Sequence, residues 1–344
     1  YQVRAVFTDA DYDPFSMKRD RLVSGRCRQR GISFRVFTDH LVFDPEQILK
    51  ADHTPYLVFT PYSRQWMARY ESKPLAFYPS ADLLMNLVPL TPEHLLVLDP
   101  VIHQTGKTTF PSSDVDDHLI ANYHTTREFP FLDGTSRLGI HLCFGTISIR
   151  QLAQRAYRLN PVFLKELIWR EFYQMILFHF PQVVTRSFKP GYERLTWLNR
   201  PEDIQAWKEG RTGYPLVDSG MRELAATGFM HNRVRMIAAS FLTKHLLVDW
   251  RLGEAWFASL LLDYELASNN GGWQWASGSG CDAAPYFRIF NPITQQHAYD
   301  RDEVYIRKWL PEYHSSTHYL NPIIEHTFAR DRALVFLRQA NRLM

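Results

Sequence analysis

Cysteine is scarce in this chain of 344 residues. Cys27, Cys143 and Cys281 are odd in number, widely spaced and form no C-x-x-C pair, so neither a disulfide framework nor a zinc site is expected. No apolar run reaches the roughly 18 residues a membrane span needs; Ala255 to Leu262 is broken by Ser259 and closed by Asp263. Charge of one sign is lacking too: the net charge is +3, which permits an anionic partner without naming one. Basic-then-apolar leader chemistry is missing from Tyr1-Gln2-Val3-Arg4-Ala5-Val6-Phe7, which runs straight into a strand-like segment, so the chain is expected to begin inside a domain of a cytoplasmic protein. What is abundant is aromatic surface, 14% of residues against 22% charged, which excludes disordered, collagen-like and coiled-coil chains.

At about 150 residues per domain the length suggests two domains. Val3 to Phe7 and Ile32 to Phe37 read as strands around a charged helix from Ser16 to Arg30 that ends at Gly31, a β-α-β unit of an α/β domain. From Glu71 to Asp117, six prolines (74, 79, 89, 92, 100 and 111) interrupt any long helix. Beyond it, Val162 to Phe180, Val217 to Thr227, His231 to Trp250 and Gly253 to Leu266 carry apolar residues at helical spacing. The expected fold class is thus α/β plus all-α: a partial Rossmann-like domain over 1–70, a linker over 71–117 and a helical domain over 118–344.

Chemistry-bearing side chains concentrate in the helical part. Glu166, Trp169, Arg170 and Tyr173 recur at i, i+3, i+4, i+7 and share one helix face; Asn232, Arg235, Met236 and Ala239 repeat that spacing. Taken alone, the first face reads as a partly exposed Glu-Arg pair beside a half-buried Trp. Amides and guanidiniums on an apolar helix need partners, however. Leu262-Asp263-Tyr264-Glu265-Leu266-Ala267-Ser268-Asn269-Asn270-Gly271-Gly272-Trp273-Gln274-Trp275 supplies two acids, amides and two indoles, with Asn270-Gly271-Gly272 expected to form a tight turn. Gly134-Thr135-Ser136-Arg137-Leu138 either caps a helix or holds a phosphate. Trp197, Trp250 and Trp273 share no stripe and read by themselves as core residues.

Five runs, Glu166-Leu-Ile-Trp-Arg-Glu-Phe-Tyr173, Lys208-Glu-Gly-Arg-Thr-Gly-Tyr-Pro-Leu-Val-Asp218, Met230-His-Asn-Arg-Val-Arg-Met236, Asn269-Asn-Gly-Gly-Trp-Gln-Trp275 and Asp282-Ala-Ala-Pro-Tyr-Phe-Arg-Ile-Phe-Asn-Pro292, together resemble the photolyase/cryptochrome family, and most closely its bacterial cyclobutane pyrimidine dimer branch. The resemblance implies a helical FAD-binding domain behind an α/β antenna domain and light-driven splitting of pyrimidine dimers in DNA. It implies that Tyr123, Thr135, Ser136, Arg137, Leu138, Arg170, Asn232, Arg235, Asp263, Glu265 and Asn269 hold FAD. It places Glu166, Trp169, Asn232, Met236 and Trp275 on the flipped lesion, and Arg127, Tyr173, Arg233 and Gln295 at the DNA strand or lesion rim. Trp273, Trp250 and Trp197, in that order from flavin to surface, would relay an electron inward to oxidised flavin. The implied partner is dimer-containing DNA, bound by a monomer with no membrane and no metal.

The resemblance is incomplete. The first part of the antenna domain has no counterpart in the sequence, so an antenna chromophore, folate or deazaflavin, stays open. Gly139 stands where Ser is usual and Glu265 where Asp is usual. Tyr264, Phe229 and Cys281 replace the customary Gly, Trp and Thr. Alternatives are a cryptochrome-type light sensor, a six-four photoproduct enzyme or an inactive flavin-binding fragment. Asn269 argues against plant and insect sensors, where Asp or Cys is expected, and Asn232 with Met236 against the six-four enzyme, where a His pair is expected.

Overall fold

A computed structural model describes residues 2–73, 75–76, 78–88, 110–315 and 319–342. Strand β1 (Ala5–Asp9), helix α1 (Pro14–Gln29) and strand β2 (Ser33–Phe37) form the expected β-α-β unit, with the strands parallel and in register from Ala5 opposite Ser33 to Asp9 opposite Phe37. The first strand lies two residues later than expected. Helix α1, by contrast, starts two residues earlier than expected, because Asp13 accepts bonds from the backbone N–H groups of Phe15 and Ser16 and Pro14 fixes the first turn.

Helix α2 (Phe59–Ser72) follows, and the connecting segment holds a 3-10 turn at Ser80–Asn86; most of the remaining linker, 89–109, lies outside the described residues. The helical part then runs α3 (Asp117–Thr126), α4 (Gly139–Cys143), α5 (Ile149–Leu159), α6 (Pro161–His179), α7 (Pro201–Lys208), α8 (Pro215–Thr227) and α9 (Asn232–Ser240). It continues through α10 (Trp250–Leu260), α11 (Leu266–Ser277), α12 (Pro292–Tyr299), α13 (Val304–Trp309), α14 (Glu312–Ser315) and α15 (His326–Arg342).

Three sequence expectations are corrected. The single helix expected from His231 to Trp250 is two: α9 passes into a π turn at Phe241–His245, Leu247 takes a left-handed backbone (φ 53°), and Asp249 caps α10 through the Arg251 N–H. The helix expected from Gly253 to Leu266 accordingly begins at Trp250 and ends at Leu260. The expected Asn270-Gly271-Gly272 turn lies inside helix α11, where a Cβ on Gly271 would meet the Tyr173 ring at 2.2 Å. The glycine serves the close approach of α11 to α6.

Two cores flank the site. One gathers Trp207, Phe241, Trp250, Phe257, Trp273 and Tyr305; the other gathers Trp66, Ile120, Leu164, Ile168 and Phe172 on α6. Residues 42–66 join the second core and are fixed there by Glu171, whose carboxylate accepts bonds from Val42 N (3.1 Å), Phe43 N (2.9 Å) and Trp66 Nε1 (2.9 Å). Burial pushes that carboxyl up to about 7, against the three donors that favour its charged form.

Candidate functional site

Between the two cores lies a cavity of about 410 Å³, within the range of small-molecule sites. One wall is α6, presenting Glu166, Trp169, Arg170 and Tyr173; the facing wall is α9, presenting Asn232, Arg235, Met236 and Ala239. Both sets read from helical spacing therefore face the same space. The stretch leading into α11 and the helix itself add Asp263, Glu265, Asn269, Trp273 and Trp275, while Arg127 closes the rim after α3. The spacing did not single out Phe257, Leu261, Ser268 and Gly272, which also line the cavity; their signal is only that of ordinary core or helix residues.

The polar groups are tied in pairs. Arg235 Nη2 donates to both oxygens of Asp263 (3.1 and 2.9 Å), and its Nε donates to the Met230 carbonyl at 2.6 Å. Arg170 Nη2 lies 2.6 Å from Glu265 Oε1, the Ser268 hydroxyl donates to Glu265 Oε2 at 2.5 Å, and His40 Nε2 stands 3.3 Å from Glu265 Oε1. Burial alone would raise the Glu265 carboxyl, but the Arg170 guanidinium and His40 hold it down at about 2. His40 reaches the site from the N-terminal part of the chain, 130 positions from Arg170, so no local pattern marks it. Asn269 Nδ2 donates to the Glu254 carboxylate at 2.8 Å and to its carbonyl at 3.2 Å, turning the amide oxygen free for other partners.

On the other side of the cavity, Trp169 is stacked flat on Phe59 of α2, ring centroids 3.6 Å apart and planes 6° from parallel. Burial raises the Glu166 carboxyl, opposed by Arg127, whose Nη1 donates to it at 2.5 Å. This indole, carboxyl and the Asn232 amide form a half-open polar and aromatic face.

Other expected residues stand away from the cavity. Tyr123 packs on the α6 core under Arg127, and the Leu138 side chain is buried in that core. Thr135 and Ser136 do not cap α4: Leu138 occupies the cap position without a side-chain bond, and Ser136 Oγ only reaches the Leu138 N–H at 3.5 Å. Arg137 nevertheless borders the site through Phe229, whose ring lies under both Arg137 (4.8 Å) and Arg235 (5.4 Å). Gly139 lets α4 approach the site closely, since a Cβ there would stand 3.0 Å from the Asp263 Cβ. Arg233 lies over the Tyr299 ring of α12 at 4.4 Å, one turn from Gln295. Trp250 is fully buried with its Nε1 donating to Ser187 Oγ at 3.2 Å, and Trp197 packs on Phe336 of α15.

The unusual residues have local reasons. Phe229 is the ring between two guanidiniums. The Tyr264 carbonyl accepts from Cys143 Sγ at 3.3 Å while its side chain lines the cavity. Cys281 Sγ donates to the Leu57 carbonyl at 3.0 Å, next to Asp282, whose carboxylate accepts from Phe59 N at 2.9 Å and so caps α2, which has no cap of its own.

A β-α-β unit thus precedes a helical part whose cavity is lined by two arginine-carboxylate pairs, Arg235 with Asp263 and Arg170 with Glu265, and by the indoles of Trp169, Trp273 and Trp275. Residues 163–320 match the family model described as the FAD binding domain of DNA photolyase, and residues 1–80 match the DNA photolyase model. The chain belongs to the DNA photolyase family. It is 36% identical to a deoxyribodipyrimidine photo-lyase of Alkalihalophilus pseudofirmus over 98% of this chain and 79% of that protein. A crystal structure of a bacterial class III photolyase from Agrobacterium tumefaciens matches with a TM-score of 0.81 at 32% identity, covering 98% of this chain and 80% of that one. An archaeal photolyase structure from Sulfolobus tokodaii, solved with two FAD molecules, matches with a TM-score of 0.75 at 30% identity over 98% of this chain and 79% of its own.

The residues present fit FAD. Phe257, Leu261 and Trp273 give an apolar floor for a ring system, Arg235, Arg170 and Asn269 stand at polar edges, and a Cβ on Gly272 would meet nothing, leaving backbone open to the cavity. Among the described residues no cluster suited to a metal ion is present, and no helix is long and apolar enough to cross a membrane.

Proposed function

We propose that this cavity repairs DNA by light: a cyclobutane pyrimidine dimer, flipped out of the duplex, enters from the rim and meets FAD held at the floor. The observation that carries the reading is the convergence of both residue sets, Arg235, Asp263 and Asn269 with Glu166, Trp169, Asn232, Met236 and Trp275, on one cavity. Bound among Arg235, Asp263 and Asn269, FAD in its reduced form would supply the light-driven electron donation by which the cyclobutane ring opens.

The chain's residues do the remainder. Arg235 brings positive charge beside the flavin while Asp263 fixes its fork, and Asn269, its Nδ2 held by Glu254, offers an uncharged amide oxygen as an acceptor that does not titrate. Of the stretch Thr135, Ser136, Arg137 and Leu138, Arg137 borders the site through the Phe229 ring and would meet the cofactor there, while Tyr123 and the Leu138 side chain support the wall from the α6 core. Trp169 and Trp275 hold the two linked bases by stacking, Met236 adds a polarisable contact, and Glu166 and Asn232 read the pyrimidine edges. Arg127, Arg233 and Gln295 meet the damaged strand, which a poorly stacked dimer leaves at low cost. Trp273, Trp250 and Trp197 carry an electron inward when the flavin is oxidised. The protein acts as a monomer in the cytoplasm.

The chain loaded with reduced FAD is expected to restore thymine dimers to thymines under blue light and to leave them intact in darkness. Repair at the same rate in both would overturn the reading.

A further inference from the structure

From Glu166 and Arg127 at the cavity rim a chain of ion pairs runs outward to Glu128 and Arg233, and in it one carboxylate, Glu128, serves two arginines. Glu128 Oε1 accepts from Arg127 Nε at 3.2 Å; Glu128 Oε2 accepts from Arg233 Nε at 2.8 Å and also from Arg233 Nη2. Both guanidiniums are seated on rings, Arg127 over Tyr123 at 5.3 Å and Arg233 over Tyr299 at 4.4 Å, so their places do not depend on Glu128 alone. Glu128 is the more solvent-facing member, its side chain 32% exposed against 23% for Arg127 and 15% for Arg233. A carboxylate with each oxygen on a different guanidinium presents the same pair of anionic acceptors as a backbone phosphate.

We propose that Glu128 is a built-in competitor for DNA phosphate, occupying Arg127 and Arg233 in the free enzyme and thereby setting its affinity for DNA. The proposal rests on the reading that these two arginines meet the strand. A phosphate that binds them must displace the Glu128 carboxylate, so each contact exchanges one anion for another and gains less than a free arginine would. The freed carboxylate is left facing the negative strand, which adds to the cost. Glu128 thus restrains binding to intact DNA, where the backbone has only phosphates to offer.

The test is dark binding of the FAD-loaded chain to a duplex with one thymine dimer and to the matching intact duplex, measured across about 50 to 200 mM salt. Glu128→Gln, which keeps the shape and removes the charge, is expected to bind the intact duplex roughly three- to tenfold tighter and to steepen the salt slope by up to about 0.9 per arginine released. Glu128→Ala should shift both quantities the same way, and adding Arg233→Ala to Glu128→Gln should cancel most of the gain. Flavin absorbance reports that each variant is folded. If Glu128 merely braces the arginines, its neutralisation weakens binding or leaves both quantities unchanged, and the proposal falls. If Arg127→Ala and Arg233→Ala leave binding to the dimer duplex unchanged as well, the placement of the arginines on DNA has failed with it.

Discussion

Glu265 shows how far a single residue's chemistry can be read. Its acid character was visible in the sequence, but the partners that set its charge, Arg170 and His40, come from two distant stretches that only folding brings together. Because the folded carboxyl is held at about 2, below its ordinary value of 4.5, its ion pairing stabilises the fold above that ordinary value and is lost as pH falls toward 2. Glu265→Gln is expected to cost about 3 to 5 kcal/mol near neutral pH, since it leaves a buried guanidinium short of its counter-charge. The difference in urea midpoint between the variant and the parent should shrink steadily as pH is lowered; a constant difference would contradict the assignment. Trp250 makes a second case at this scale. Trp250→Phe keeps the buried ring but raises the cost of removing an electron, so light-driven reduction of oxidised flavin should stop while chemically reduced enzyme still repairs. Photoreduction at the parent rate would remove Trp250 from the relay.

Among the elements, α6 and α9 were legible because a helix repeats its faces every 3.6 residues, and the stripes Glu166-Trp169-Arg170-Tyr173 and Asn232-Arg235-Met236-Ala239 obey that period. Helix α11 was not, because two glycines read as a turn when the neighbour that requires one of them is unseen. Gly271→Ala tests this: its methyl would press into the Tyr173 ring, so the substitution should destabilise the chain by about 1 to 3 kcal/mol in thermal melts. It should also loosen FAD, because α6 and α11 form two walls of one cavity. A melting curve unchanged from the parent would show that the helices are not pressed together there. The break between α9 and α10 was hidden for a related reason, since apolar spacing runs on through the π turn and only Leu247 and Asp249 mark the end.

For the whole molecule, the division into a β-α-β unit and a helical part was legible in the alternation of patterns. That residues 42–66 belong to the core of α6 was not, because Glu171 holds them through the backbone N–H groups of Val42 and Phe43, which carry no sequence signature, and through the Trp66 indole 105 positions away. The site is a product of this arrangement: α6 offers one face to the cavity and, through Glu171 and Phe172, another to the N-terminal segment that brings Phe59 against Trp169. The claim on which function depends is that flavin and lesion share that cavity in contact. The most direct measurement is the fluorescence lifetime of bound reduced flavin as an oligonucleotide carrying one thymine dimer is added. The account predicts a lifetime shortened by the dimer oligonucleotide and left alone by its undamaged twin; a dimer that binds tightly while the lifetime stays constant would contradict it.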